Sequence, residues 1–247
     1  MTVLDRRQMV AGTAAALLVP AAARAAAVPS SAAQKTIRTA IDRQLPENFA
    51  RIQDWIRHPG IAAENWQMQS VCAYTMGLLR NAGFQTVKRL PTKGQPGISV
   101  TFDAGAARTV GIYFMYDVKQ VNPAEWSSPP FEARITDKPG WGKVIVGRGA
   151  INQKGPEAAF LAALNAFRAA GQEAATLYPR SAGSWPGSVF TQPPVSLPAG
   201  QFGLGHGSGA HAPNEDFVIE STNPAVQGLA GCTAGFVDLL YEMATTA

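Results

Sequence analysis

Apolar positions recur at helical spacing in the first third of the chain and then give way to short extended runs. Gln34 to Arg57 predicts a helix, interrupted near Pro46, with Ile52, Trp55 and Ile56 on one side. Trp66 to Ala82 predicts a second helix, in which Val71, Thr75, Leu78, Leu79 and Ala82 share a face and Gly83 supplies the stop. Phe84 to Leu90, Ile98 to Phe102 and Val110 to Met115 then read as strands, each bounded by Gly, Pro or Asp. Asn122 to Gly142 is a proline-rich excursion, Lys143 to Val146 returns as a strand, and Lys154 to Ala170 reads as an amphipathic helix. After Gly171 the texture changes. Residues 172–209 are rich in Gly, Pro, Ser and Ala, with Gln201 to Leu204 as a short strand, and Val226 to Met243 closes the chain as a helix. Alternating helices and strands without an internal repeat predict an α/β layer fold, helices packed on a sheet.

Composition changes this picture mainly at the N-terminus. Arg6-Arg7, the weakly apolar stretch Met9 to Pro20 and small residues through Ala27 read as a twin-arginine-type export signal. That address predicts an exported, periplasmic protein, and the stretch is too short and too rich in Ala and Gly for a stable membrane anchor. Without residues 1–27 the formal charge falls from +4 to +2, because Arg6, Arg7, Arg24 and Asp5 leave with the leader. Nothing clusters Lys and Arg as a nucleic-acid footprint requires. Cys72 and Cys232 are far apart in sequence. They either bridge in an oxidising compartment or sit as small buried apolar side chains, and spacing does not decide between the two.

Three segments carry candidate chemistry. Tyr113 to Gln120 offers Asp117 at the end of a predicted strand, where open α/β sheets place functional groups, although a strand-ending Asp also serves simply to cap a turn. Val146 to Pro156 flanks Asn152 with Gly147, Gly149 and Gly155, which suit close backbone approach. It is not a phosphate loop, since Pro156 stands where a hydroxyl would hold magnesium. Gly207 to Asp216 sets His211 among small residues ahead of two carboxylates, Glu215 and Asp216. An imidazole there is a possible metal ligand or an ordinary solvated side chain.

In order and content these segments resemble the di-zinc metallopeptidase family of aminoacylases, carnosinases, glutamate carboxypeptidases and acetylornithine deacetylases, metallopeptidase family twenty. The family's H-x-D-V is matched by Met115-Tyr116-Asp117-Val118, and its W-x-x-x-P-F-like loop by Trp126 to Phe131. Its G-R-G-x-x-D-x-K-G is matched by Gly147 to Gly155, its R-x-G-G-S-I-P-like turn by Arg180 to Pro186, and its H-x-P-N-E by His211 to Glu215. The resemblance implies a zinc-exopeptidase-like catalytic domain with helices on a mixed sheet. Residues 28–171 would form its N-terminal part and residues 172–247 its C-terminal part, after an apparent internal deletion that removes the lid/dimerisation domain. It implies zinc or another divalent metal, and hydrolysis of peptide or N-acyl amino-acid amide bonds by metal-activated water. A small peptide or N-acyl amino acid would be the partner; the oligomeric state is left open.

The same comparison assigns site positions and exposes departures. His211 matches the family's last metal ligand. Asn152 stands at the bridging aspartate position and offers a carbonyl oxygen without negative charge. Met115 stands at the first histidine ligand, and its thioether suits soft ions rather than zinc. Asp117 matches the aspartate that orients that histidine, and Arg180, Gly183 and Ser184 match the turn near the substrate. The family's catalytic Glu-Glu pair occurs nowhere in the sequence, and neither Glu157 nor Glu173 takes its place. Glu157 is expected in a first helical turn, with its charge complementing the helix dipole. His206 is a remote candidate as a replacement ligand. The expected outcomes are thus impaired hydrolysis, a non-catalytic peptide- or carboxylate-binding pseudoenzyme, or an inactive deleted chain with uncovered sheet edges.

Overall fold

A computed structural model describes residues 31–103, 110–170, 177–181, 192–193, 196 and 204–245. The predicted leader, Glu173, Gly183 and Ser184 lie outside them. Helix α1 (Ser31–Arg57) runs on through Pro46, where the sequence predicts an interruption. Proline removes one helical hydrogen bond and crowds the preceding turn. The helix continues because its two halves bury one stripe, Ile37, Ala40 and Ile41 before the proline and Ile52, Trp55 and Ile56 after it. Tertiary packing, rather than local propensity, holds it together. Helix α2 (Met68–Asn81) agrees with its predicted face, burying Val71, Thr75, Leu78 and Leu79. Arg168 donates to the Asn81 carbonyl at its C-terminal end over 2.8 Å.

Two four-stranded sheets follow. In the first, β1 (Thr86–Leu90) and β2 (Gly97–Thr101) form an antiparallel pair, and β3 (Val110–Ile112) is the far edge strand. β6 (Leu177–Ser181) fills the gap between β2 and β3, antiparallel to one and parallel to the other. This sheet is therefore mixed, as expected, and the strand after residue 171 is paired on both sides. The second sheet is wholly antiparallel, in the order β4 (Arg134–Lys138), β5 (Gly142–Val146), β8 (Asp216–Ser221), β7 (Gly207–Ser208). β4 lies inside the segment read as a proline-rich excursion. β8 carries Asp-Phe-Val-Ile-Glu-Ser, which sequence reading left unassigned. Of the predicted strand Gln201 to Leu204, Leu204 is not in a strand and residues 201–203 lie outside the described residues.

The predicted strand Val110 to Met115 stops at Ile112. Beyond it the backbone finds other partners, Met115 N–H donating to Glu157 over 2.9 Å and Val118 N–H to the Gly60 carbonyl over 2.8 Å. Asp117 therefore sits in irregular chain beyond the strand, not at its end.

Helix α3 (Gly155–Ala169) is expected to be amphipathic but is buried nearly all round, from Ala158 through Leu164 and again at Ala166 and Phe167. Its alanines allow close approach to α1 and to α4 (Leu229–Thr245). Phe160 meets Phe114 and Phe236 edge-on, with ring centroids 5.3 and 5.6 Å apart. Such contacts add to the burial that defines the core. Cys72 and Cys232 are both free and buried, so no bridge joins them. Among the described residues no helix is long and apolar enough to cross a membrane.

The start of α3 is a close approach. A Cβ on Gly155 would lie 2.3 Å from the Ala150 carbonyl oxygen and 2.7 Å from Phe217 Cγ. Gly155→Ala is expected to destabilise the protein by about 1–3 kcal/mol through overpacking. Gly77, inside α2, has nothing within 4 Å of its Cβ position. Gly77→Ala is expected to stabilise by about 0.5–1 kcal/mol, and urea denaturation of the two variants checks both signs.

Candidate functional site

Strand β5 ends at Val146, and the chain turns through Gly147-Arg148-Gly149 into a short π-helical segment, Ala150–Lys154, before α3. Gly149 has φ +93°, and a Cβ there would come within 2.8 Å of Val118. Pairing of Val146 with Asp216 brings the end of the third motif alongside the loop, and Gly147 N–H donates to the Glu215 carbonyl over 2.9 Å.

The Glu215 carboxylate, fully buried, closes the arrangement. One oxygen accepts from Arg148 Nη1 at 2.8 Å and from Gly149 N–H at 3.2 Å. The other accepts from Ile151 N–H at 3.1 Å and Asn152 N–H at 2.7 Å. The Arg148 guanidinium lies over the Trp126 ring, 5.1 Å from its centroid, and the Arg148 backbone N–H donates to the Pro130 carbonyl over 2.7 Å. A buried charge is tolerable only when paired and hydrogen-bonded, and Glu215 has both kinds of partner. Sequence reading noted Glu215 as a carboxylate without giving it this role. The available signal was an Arg and a Glu falling in two separate motifs.

This cradle sets Asn152 against His211. The Asn152 backbone departs from helical values, at φ −119° and ψ 83°, and its side-chain Nδ2 meets His211 Nε2. His211 takes the left-handed conformation, φ +65°, on a turn closed by Ala212 N–H donating to the Gly209 carbonyl over 2.7 Å. The next residues anchor that turn. Asn214 Oδ1 accepts from the Ser127 N–H at 2.8 Å and from its hydroxyl at 2.7 Å, which ties His211 to the Trp126 loop. Asp216 pairs with Lys138 at 2.6 Å and accepts from the Ser208 hydroxyl at 2.9 Å.

A second polar layer lies beneath. Lys154 is fully buried and donates to the carbonyls of Trp55 and His58 at 2.7 and 3.1 Å. Burial pushes its ammonium down to about 7, against the opposing pull of Glu157, Asp117 and Glu215. Glu157 does lie in the first turn of α3, but its carboxyl is buried, and burial raises it well above the ordinary carboxylate range. A group held toward its neutral form does not serve as the dipole-complementing charge expected of it. Burial also raises Asp117, with its own backbone hydrogen bond and Lys154 acting the other way.

Of the candidate positions, the structure brings Asn152 and His211 into contact and supports the Asn152 backbone from Glu215. Met115 instead lines an internal cavity with Trp55, Thr75 and Glu157. His206 accepts from Gln227 N–H through Nδ1 at 2.9 Å, and no contact joins it to His211. Arg180 lies in β6, opposite Ser99. Among the described residues no group of three or more His, Cys, Asp or Glu side chains is placed to hold a metal ion. A neutral amide on His211, a methionine at the first ligand position and a carboxylate already taken by four donors do not fit a zinc centre, which needs three or more ligands and an open position.

No family model matches the sequence, and no curated protein matches it. Solved structures do. The di-peptidase Dug1p of Saccharomyces cerevisiae is 23% identical with a TM-score of 0.52, over 61% of this chain and 34% of that one. The M20 family metallo-carboxypeptidase Sso-CP2 of Sulfolobus solfataricus is 26% identical with a TM-score of 0.50, over 56% and 30%. Human carnosine dipeptidase 1 is 22% identical with a TM-score of 0.52, over 61% and 34%. The chain thus has the fold of a metallopeptidase catalytic domain, and the shared part spans about a third of each neighbour's length.

Two outcomes follow from this geometry. Glu215→Gln, which strips the charge facing Arg148, is expected to cost about 3–5 kcal/mol, read from urea denaturation. Glu157 binds its proton more tightly folded than unfolded, so stability falls as pH rises from about 4.5 through its raised folded value. Glu157→Gln is expected to flatten that acid-side slope in melting curves taken across pH. The Lys154 contribution, in which stability rises with pH between about 7 and 10.5, should remain in that variant.

Proposed function

We propose that this protein is a metallopeptidase- or amidohydrolase-like protein whose ancestral reaction is hydrolysis of peptide or N-acyl amino-acid amide bonds. We infer that this chain turns such compounds over weakly or not at all while its cleft still receives them. The first half rests on the fold shared with a di-peptidase, a metallo-carboxypeptidase and a carnosine dipeptidase. The second rests on one observation, the contact of the Asn152 amide with His211 where a metal-holding carboxylate would be needed.

Hydrolysis of this type also needs a carboxylate to manage the proton of the attacking water. Glu215 is committed to Arg148 and three backbone amides, and Glu157 to the core. The non-catalytic, ligand-binding reading is favoured by the His211–Asn152 contact, which offers polar groups without a carboxylate and so suits a polar or carboxylate group of a ligand better than a cation. Arg180, Gly183 and Ser184 are the proposed anion contacts. The reading of an inactive, deleted chain with open edges is disfavoured by β6, which pairs on both sides directly after the proposed junction. The Arg6-Arg7 leader supports export to the periplasm.

Metal analysis of the purified protein is expected to find zinc well below one ion per chain, with dipeptide and N-acyl amino-acid hydrolysis near background. A dipeptide or N-acyl amino acid at about 100 times its Kd should stabilise the fold by about 2.7 kcal/mol, read as a raised melting temperature. Any zinc taken up should be lost in His211→Ala. Stoichiometric zinc with chelator-sensitive turnover would overturn the reading.

A further inference from the structure

His211 sits on a loop that runs from Ser208 to Asp216 and is made almost wholly of small and polar residues. Such a loop has little apolar side chain to pack, so polar contacts must offset the entropy lost in fixing it. They lie at its base. Ser208 stands opposite Asp216 in the β7–β8 pair. The Asp216 carboxylate closes this base, one oxygen accepting from the Ser208 N–H at 3.2 Å, the other from the Ser208 hydroxyl at 2.9 Å and from Lys138 Nζ at 2.6 Å. Lys138 comes from β4 and lies over the Trp141 ring, 4.2 Å from its centroid. The side chains of Lys138 and Asp216 are 26% and 8% exposed, so solvent screens this charge-assisted pair less than a pair on the open surface.

The base of the loop is also where it meets the Asn152 segment. A Cβ on Gly207 would lie 3.0 Å from Ile151 Cβ, so the residue before Ser208 rests on the residue before Asn152. The two arms of the loop touch as well, since a Cβ on Gly209 would lie 3.3 Å from Glu215 Cα. On the far side of His211, Asn214 is fixed to Ser127. His211 is held between these two points at φ +65°, a backbone conformation uncommon for a residue with a Cβ. The Lys143–Glu220 pair on β5 and β8 offers a contrast. It bridges the same sheet at 2.6 Å with both side chains about half exposed, and no loop hangs from it.

We propose that Asp216 is a positioning residue for His211. By clamping Ser208 and Lys138 it sets the base of the loop against Ile151, and so holds the imidazole on Asn152 in the free protein. What the held imidazole does for a ligand rests on the function proposed above; the clamp itself does not.

Proton NMR of the full chain, chelator-treated and without ligand, tests the clamp. His211 is one of three histidines, and its ring signals are identified by their loss in His211→Ala. The wild-type protein is expected to show a cross-relaxation peak between the Asn152 side-chain amide and the His211 ring. Asp216→Asn keeps the side-chain shape and removes the charge. It is expected to lose that peak and shift the His211 ring signals, while the cross-strand peaks between Val144 and Val218 persist. Lys143→Ala is expected to change neither. Retention of the Asn152–His211 peak and of the ring shifts in folded Asp216→Asn overturns the proposal. If that variant does not fold, Ser208→Ala removes only one hydroxyl, and is expected to shift the His211 signals, with Ser208→Thr restoring them. Unmoved His211 signals in Ser208→Ala likewise overturn it. Adding a dipeptide or N-acyl amino acid separates the two readings: a wild-type spectrum that does not respond counts against ligand binding, whereas the ligand-free spectra alone decide the clamp.

Discussion

One carboxylate organises the end of the molecule where function is to be sought. Glu215 arrives on the chain entering β8 and is buried against the loop leaving β5, where an arginine and three backbone amides converge on its two oxygens. A glycine-rich loop with irregular φ/ψ exposes N–H groups that no helix or ladder uses, and these must find acceptors when buried. Glu215 accepts three of them, those of Gly149, Ile151 and Asn152, with one side chain. The charge of Arg148, stacked on Trp126, makes the buried carboxylate tolerable in exchange.

This explains how the loop keeps its shape with an amide at its centre. In a site organised by a bound cation, an aspartate at position 152 would be held by the ion. Here Asn152 is held through its own backbone N–H on Glu215, so the loop does not need charge at its tip. The Asn152–His211 contact is the consequence, an amide against an imidazole on that cradle. Beneath it, Lys154 anchors the start of α3 to the end of α1 through the Trp55 and His58 carbonyls.

The legible parts of the sequence were those governed by one strong period or by contiguous motif. Helix α2 was readable because Val71, Thr75, Leu78 and Leu79 repeat at helical spacing with a glycine beyond them. The segment Tyr113 to Met115 continues an apolar run and reads as strand, yet the Met115 N–H is taken by the Glu157 side chain, a long-range fact that no local pattern carries. Pro46 read as a break because the packing that overrides it is tertiary. Strand β4 was hidden by the prolines before it, and β8 by the motif that runs into it. At the site, two of the motifs contain residues that meet, Asn152 and His211. They do not reveal that Glu215 holds the Asn152 loop, since its worth comes from burial against Arg148, 67 positions away in sequence. Burial also reverses the expected role of Glu157, which propensity and dipole rules treat as an exposed charge.

The central claim, that Glu215 rather than a bound cation holds the loop, is tested most directly by native-state hydrogen exchange on chelator-treated protein. The amides of Gly149, Ile151 and Asn152 are expected to exchange as slowly as those of the β5–β8 ladder, with no change when zinc is added. Free exchange at these three amides that becomes protected only with zinc would contradict the claim.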